Sequence, residues 1–148
     1  MSKIHVRDVV SFFGRDYLVE GVIGYNVNAK RFQLARAVDG DAVLWVEPLR
    51  DDGDDRLMVF KEVRDLEMAI PPPATILYNG ATYLQRLTGK STLEVAGSIP
   101  ERSAGTVQLW RYHAAGDLAL HIESSGAGTW TAAGESVHRG MIDILPGK

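Results

Sequence analysis

The feature that most constrains this chain is a repeat between its two halves. Residues 40–47 (GDAVLWVE) match residues 116–123 (GDLALHIE), with glycine, aspartate, leucine and glutamate in the same order and spacing. Other matches follow the same order, among them Tyr17-Leu18 with Tyr83-Leu84. Because generic alternation of polar and apolar residues does not require identical polar residues at matched places, the pattern predicts an internal duplication.

The duplication predicts two units, residues 1–71 and 72–148, with a proline run at the boundary. The offset between the copies is 66 residues at Tyr17 and Tyr83 and 76 residues at Asp41 and Asp117. The second copy therefore carries an insertion of about ten residues, near Gly97–Gly105. Since a unit of this size would be marginally stable alone, we expect the two units to share one core.

Most of each copy has the pattern of β-strands. Polar and apolar residues alternate over residues 16–23 and 42–47, and Asp39-Gly40 between them is typical of a tight hairpin turn. Residues 61–70 fit a helix or a strand, and both stay open. We expect an all-β fold of two duplicated antiparallel units, as small bent sheets or half-open SH3-like barrels, packed with pseudo-twofold symmetry.

Composition excludes several kinds of chemistry. The 148 residues include no cysteine, which excludes disulfides, thiolate zinc sites and cysteine nucleophiles. The net charge of −3 makes nucleic acid an unfavoured partner, because phosphate binding needs a clustered basic face. The first residues lack the apolar core of a signal peptide, and no apolar run is long enough for a transmembrane segment. We therefore expect a cytoplasmic protein.

Three motifs suggest a metal or phosphate site, and each has a simpler interpretation. The acidic cluster around Gly53 offers carboxylates for calcium, but a solvated hairpin tip is the preferred interpretation; its members are Asp51, Asp52, Asp54 and Asp55. Gly89-Lys90-Ser91-Thr92 lacks the first glycine of a P-loop and is predicted to be a turn. His113 and His121 would meet across a hairpin with His138 nearby, although isolated histidines are commoner. We expect no cofactor.

Two glutamates and several aromatic residues are the candidate binding residues. Glu47 and Glu123 end matched apolar strands, where they would either share a proton or cation, or else point to solvent or pair with a neighbouring arginine such as Arg36 or Arg111. Aromatic side chains line grooves in many small barrels and also fill β cores, and Trp130, in a glycine-rich stretch, is expected to be the most exposed. The predicted ligand- or partner-binding residues are Trp45, Glu47, Trp110, Tyr112, Glu123 and Trp130.

The second half resembles a family known as domain of unknown function 4178. The resemblance rests on a G-x-x-Y strand at residues 80–83, an aromatic strand at residues 110–112 and an L-x-x-E strand at residues 118–123, with weaker counterparts at residues 14–17 and 44–47. The family has no established reaction. Its members are often encoded near polyamine aminopropyltransferase-like and small membrane proteins, which implies a membrane- or stress-associated bacterial system.

These observations favour a non-enzymatic module that binds a protein or a small ligand through strand edges and exposed aromatic residues, with a protein partner or a second copy as the expected occupant. One alternative is nucleic-acid binding by tandem small barrels, through a basic patch of Lys30, Arg31, Arg36, Arg64, Arg86 and Lys90. Another is a metal-dependent or polyamine-linked enzyme.

Overall fold

The structure is a computed structural model that describes residues 4–49, 56–66, 69–100, 102, 105–126, 128–138 and 140–147. These residues form strands and turns without a helix, which confirms the all-β prediction, and residues 63–66 continue from β5 without regular structure. No helix in the described part of the chain is therefore long and apolar enough to cross a membrane. The eleven strands are β1 (Val9–Phe12), β2 (Arg15–Val27), β3 (Lys30–Asp39), β4 (Ala42–Pro48), β5 (Arg56–Glu62), β6 (Thr75–Tyr78), β7 (Ala81–Gly97), β8 (Gly105–Ala114), β9 (Leu118–Ser125), β10 (Gly128–His138) and β11 (Ile142–Leu145).

Eight of the strands close into one antiparallel barrel, in the order β2-β3-β4-β5-β10-β9-β8-β7, with β7 pairing back to β2. The halves of the chain contribute four strands each. The structure thus differs from the expected pair of half-open barrels. The outer strands of each set of four, β2 and β5 in the first half and β7 and β10 in the second, pair with the other half. Joint closure removes edges that two separate units would leave exposed.

The strand order reads the same from both ends when β11 is set aside: β1 to β5 in one direction and β6 to β10 in the other, joined by the β5–β10 pair. A duplication would produce such an order. The order does not by itself establish common origin, so the duplication and the boundary between residues 71 and 72 stay predictions.

Two long strands take part in both the barrel and a flanking hairpin. Strand β2 pairs with β1 up to Leu18, shifts register between Val19 and Gly21, and then pairs with β7. Strand β7 pairs with β6 up to Leu84 and shifts register between Gln85 and Leu87. Such shifts bend a strand, which allows it to leave one sheet surface and join another.

Apolar residues form one core inside the barrel and two cores against its outer wall. The first outer core includes Tyr17, Val46 and Ile142, and the second includes Ile76, Tyr83 and Tyr112. Because neighbouring residues of a strand face opposite sides, each wall strand supplies side chains to the interior and to an outer core. This double burial leaves few wall positions for polar residues, so the polar residues of the interior stand out.

Candidate functional site

A cluster of polar side chains lies inside the barrel. Its strand residues are all at most 9% exposed: Tyr25 on β2, Glu47 on β4, Arg111 on β8, and His121 and Glu123 on β9. Arg111 and His121 are direct partners across the β8–β9 pair, so their side chains leave the same face of the sheet. We call these residues, together with Arg102, the interior cluster.

Glu123 is the acceptor at the centre of the interior cluster. Its Oε2 atom accepts a hydrogen bond from the Tyr25 hydroxyl at 2.5 Å and contacts His121 Nε2. Its Oε1 atom forms an ion pair with Arg102. Glu123 is only 2% exposed, and burying a carboxylate is costly unless it is paired and hydrogen-bonded. These contacts replace the water that the carboxylate has lost.

Arg111 connects the two halves of the interior cluster. Its Nη2 atom lies 2.8 Å from Oε1 of Glu47, and its Nε atom lies 3.2 Å from Nδ1 of His121. Because an arginine can only donate, Nδ1 of His121 is the acceptor, and the proton of a neutral imidazole then lies on Nε2, facing Glu123. Burial, followed by the charges of Arg111 and Arg102, lowers the pKa of His121 well below 6.5. The tautomer and the pKa both indicate a neutral histidine.

The interior cluster is balanced in charge. Arg102 and Arg111 face Glu47 and Glu123, so two cations meet two anions. Tyr25 stays un-ionised, since burial, opposed by the nearby arginines, raises its pKa to about 12. The groups that resemble acids and bases are thus occupied with one another.

Residues from the predicted insertion close one end of the barrel. Ser98 donates its backbone N–H to Glu20 at 2.9 Å, and Ile99 is 6% exposed within the interior core. The Arg102 side chain is 6% exposed as it pairs with Glu123. We call Ser98, Ile99 and Arg102 the plug residues. Ser98 and Ile99 pack against Gly21, where an added Cβ would lie 2.4 Å from the Ser98 carbonyl oxygen.

Aromatic rings surround the cations of the interior cluster. The Trp130 ring meets the Trp45 ring edge-on at a centroid distance of 4.9 Å, and the Arg102 guanidinium carbon lies 4.5 Å from the centre of the Trp130 ring. The Arg111 guanidinium carbon lies 4.8 Å from the Phe32 ring and 4.9 Å from the Phe60 ring. Desolvated cation–π contacts of this kind stabilise buried arginines.

A cavity of about 380 Å³ lies beside Trp130, at the same end of the barrel as the plug residues. We call it the rim cavity. The Nε1 atom of Trp130 is buried and has no hydrogen-bond partner in the described part of the chain. Because this atom is closed to solvent, a molecule in the rim cavity would contact other atoms of Trp130. The rim cavity is lined by Glu62, Val63, Arg64, Leu66, Thr129, Trp130 and Thr131.

Four of the six predicted binding residues belong to this region: Trp45, Glu47, Glu123 and Trp130. Trp110 and Tyr112 instead face the second outer core, because they lie one strand position away from the inward-facing Arg111. Trp130 has the highest exposure among the candidate aromatic residues, as expected, but it is still buried. It is 8% exposed, because its strand places it inside the barrel.

The ion pairs decide between the two expectations for the glutamates. Glu47 pairs with Arg111, as the expectation of arginine pairing proposed. Glu123 pairs with Arg102 instead, and Arg36 pairs with Glu20 at 2.7 Å.

The metal hypotheses find little support in the described ranges. The acidic cluster, Asp51, Asp52, Asp54 and Asp55, lies outside them. Within them, no group of three or more His, Cys, Asp or Glu residues is placed to hold a metal ion. His113 does not meet His121 across the hairpin, because the register sets His113 opposite Ala119.

Sequence reasoning missed Tyr25 and Arg102 as members of the site. Tyr25 lies in an apolar strand without a repeat partner that would have drawn attention to it. The insertion near Gly97–Gly105 was a usable signal for Arg102, since a charged residue in an inserted segment has a role that the first copy lacks.

The fold and the site define an antiparallel β-barrel module whose interior holds a polar cluster of two ion pairs, without net charge. The chain belongs to the family described as Domain of unknown function (DUF4178), whose model matches residues 5–139. This match confirms the resemblance found in the sequence. No curated protein and no solved structure matches the chain.

Proposed function

We propose that the chain is a non-enzymatic binding module that holds a small ligand or a segment of a protein partner in the rim cavity. One observation carries this proposal: a cavity of about 380 Å³ lies between the end of β5 and the start of β10, where Trp130 forms part of its lining. That volume is within the range of small-ligand sites, which combine apolar walls with a few fixed polar groups.

The interior cluster supports binding over catalysis. General acid–base chemistry requires a group within hydrogen-bond reach of a substrate. His121 and Glu123 are at most 2% exposed and are engaged with Arg111, Arg102 and Tyr25. Such a cluster would instead hold the barrel wall and Trp130 in one arrangement, which lowers the entropic cost of binding at the rim cavity.

The test is a fragment screen monitored through the indole N–H signals of the three tryptophans in ¹⁵N-labelled protein. We expect hits to shift the Trp130 signal and to leave the Trp110 signal in place. Trp130→Phe removes one of the two fused rings beside the cavity, so it should weaken these hits several-fold. Trp110→Phe, in the second outer core, is the matched control. Hits that leave the Trp130 signal unchanged, or a screen without hits, would contradict the proposal.

Nucleic-acid binding has less support as an alternative. Of the six basic residues in the predicted patch, Arg36 is buried and paired with Glu20. Lys30 and Arg64 lie at opposite ends of the barrel. Strands β3 and β5 run in the same direction, and Lys30 begins β3 whereas Arg64 lies beyond the end of β5. Arg64 is therefore separated from Lys30 by the length of the barrel, and the predicted patch loses both Arg36 and Arg64.

Two wider predictions belong to this proposal. A common origin of residues 1–71 and 72–148 is supported by the matched sequences and by the strand order. A cytoplasmic location rests on composition alone. The rim cavity has room for a short segment of a protein partner or of a second copy of the chain.

A further inference from the structure

Strand β10 extends beyond its neighbour β5 at the rim cavity. It runs from Gly128 to His138 and pairs with β9 from its first residue. Its pairing with β5 begins only at Ala132, which lies opposite Glu62. Thr131 bonds to Val63 beyond the end of β5, whereas, within the described part of the chain, residues 128–130 have a strand on one side only. We call this stretch the open edge of β10.

The hydrogen-bonding groups that face the gap can be identified. Val63 donates its backbone N–H to the Thr131 carbonyl at 2.8 Å, so the backbone of Thr131 faces away from β9. In an antiparallel strand the N–H and C=O of one residue point to the same side, and that side alternates along the chain. The N–H and C=O of Thr129 consequently face the gap as well.

The rim cavity lies along this open edge. Thr129, Trp130 and Thr131 form one wall, and residues 62–64 with Leu66 form the other. The edge offers the paired donor and acceptor of Thr129. The chain's own Val63 bonds to β10 at Thr131, two residues from Thr129, so extended backbone already pairs with β10 next to the open edge.

We propose that the open edge of β10 binds a short extended peptide segment as an added strand. The peptide would exchange two backbone hydrogen bonds with Thr129, and side chains of small apolar or hydroxyl-bearing residues would face Val63 and Leu66. Strand addition is a general mode of peptide recognition, in which main-chain bonds give affinity and pockets select side chains. This inference rests on the proposed binding function and names the class of ligand.

The test uses a capped peptide, acetyl-Thr-Val-Thr-Val-amide, titrated into the full-length protein to about 5 mM, a range that detects weak binding. We expect saturable shifts of the Thr129 amide and the Trp130 indole signals. The same peptide with every amide N-methylated keeps the side chains and loses its donors, so it should bind at least about fivefold more weakly. Equal binding of the two peptides would overturn the proposal.

A pair of variants provides an independent test. Thr129→Pro removes the N–H that faces the gap and leaves the β9 ladder complete, as proline is tolerated where the N–H is not used by a neighbouring strand. Thr129→Val keeps that N–H and the side-chain shape. We expect at least about fivefold weaker peptide binding by Thr129→Pro than by Thr129→Val.

The outcomes separate this inference from the proposed function. Fragments that shift Trp130 while the peptide fails to bind would retain a ligand site and reject strand addition. Failure of both fragments and peptide would reject both proposals. If Thr129→Pro does not fold, the comparison of the two peptides on the unaltered protein still decides the question.

Discussion

The guanidinium of Arg111 donates to the imidazole of His121, with Nε 3.2 Å and Nη2 3.1 Å from His121 Nδ1. Because Arg111 remains protonated, this contact requires a bare nitrogen at Nδ1. Protonating His121 would set an N–H against a cation at the centre of the barrel. The pair therefore disfavours a charged His121 in the folded protein, and the consequences for stability can be measured.

The first prediction concerns the pH dependence of stability. Burial and the two nearby arginines lower the pKa of His121 well below 6.5 in the folded state. In the unfolded chain a histidine takes up its proton near pH 6.5, so below that pH the unfolded state binds more protons. The free energy of unfolding should fall as the pH drops from about 6.5 toward the folded pKa, by up to about 1.4 kcal/mol per pH unit. Urea unfolding at several pH values measures this slope.

His121→Gln is the variant that isolates the effect, because glutamine can accept from Arg111 and donate to Glu123 without titrating. We expect a smaller loss of stability on acidification in this variant than in the unaltered protein. His113→Gln is a necessary comparison, since burial also lowers the pKa of His113 and contributes a slope of the same sign. Equal slopes in His121→Gln and the unaltered protein would refute a neutral, buried His121.

The second prediction concerns the charge of Glu123. Glu123→Gln keeps the shape of the side chain and leaves Arg102 without its buried anion. Breaking one partner of a buried ion pair typically costs about 3–5 kcal/mol of stability, and we expect a loss in that range. Chemical denaturation measures it. Glu135→Gln, an exposed change on β10, should alter stability by less than about 0.5 kcal/mol. A similarly small effect of Glu123→Gln would show that the pair is not closed to solvent.

The third prediction concerns the hydroxyl of Tyr25. Its bond to Glu123 is charge-assisted and buried, so Tyr25→Phe should cost about 1.5–3 kcal/mol. Tyr17→Phe is the matched control, because Tyr17 is buried in an outer core and has no hydroxyl partner among the described residues. Above pH 10 the unfolded chain ionises this tyrosine while the folded pKa is about 12, so stability should also fall between these values. If the two variants lose equal stability, the Tyr25–Glu123 bond contributes nothing specific.

The local pattern of the sequence was enough to predict strands, hairpins and the recurrence of Glu47 and Glu123. Alternation identifies two faces of a strand, but it does not say which face lies inside when both faces are apolar. In β8 the inward residue is Arg111, whereas Trp110 and Tyr112 on either side fill an outer core. Aromatic character therefore selected the face of β8 that lies against an outer core, whereas the charged Arg111 marks the face that points into the barrel.

Contacts across the barrel were beyond the reach of any local pattern. Tyr25 and Glu123 meet over a separation of 98 residues, and they do so only because β2 pairs with β7 and β5 pairs with β10. Those pairings depend on how the two halves close on each other. The acceptor for Tyr25 becomes identifiable only once the barrel is closed.

The last prediction tests the fit of the plug residues against Gly21. An alanine Cβ at Gly21 would lie 2.4 Å from the Ser98 carbonyl oxygen and 2.5 Å from Ile99 Cδ1, so Gly21→Ala must displace the plug residues. Overpacking of this kind typically costs about 1–3 kcal/mol. Gly24→Ala on the same strand is the control: its nearest neighbour would be 3.7 Å away, and reduced chain entropy should make it neutral or slightly stabilising. Denaturant unfolding compares the two variants, and Trp130 fluorescence reports movement of Arg102. Equal stability of Gly21→Ala and Gly24→Ala would mean that the plug residues do not close the barrel in solution.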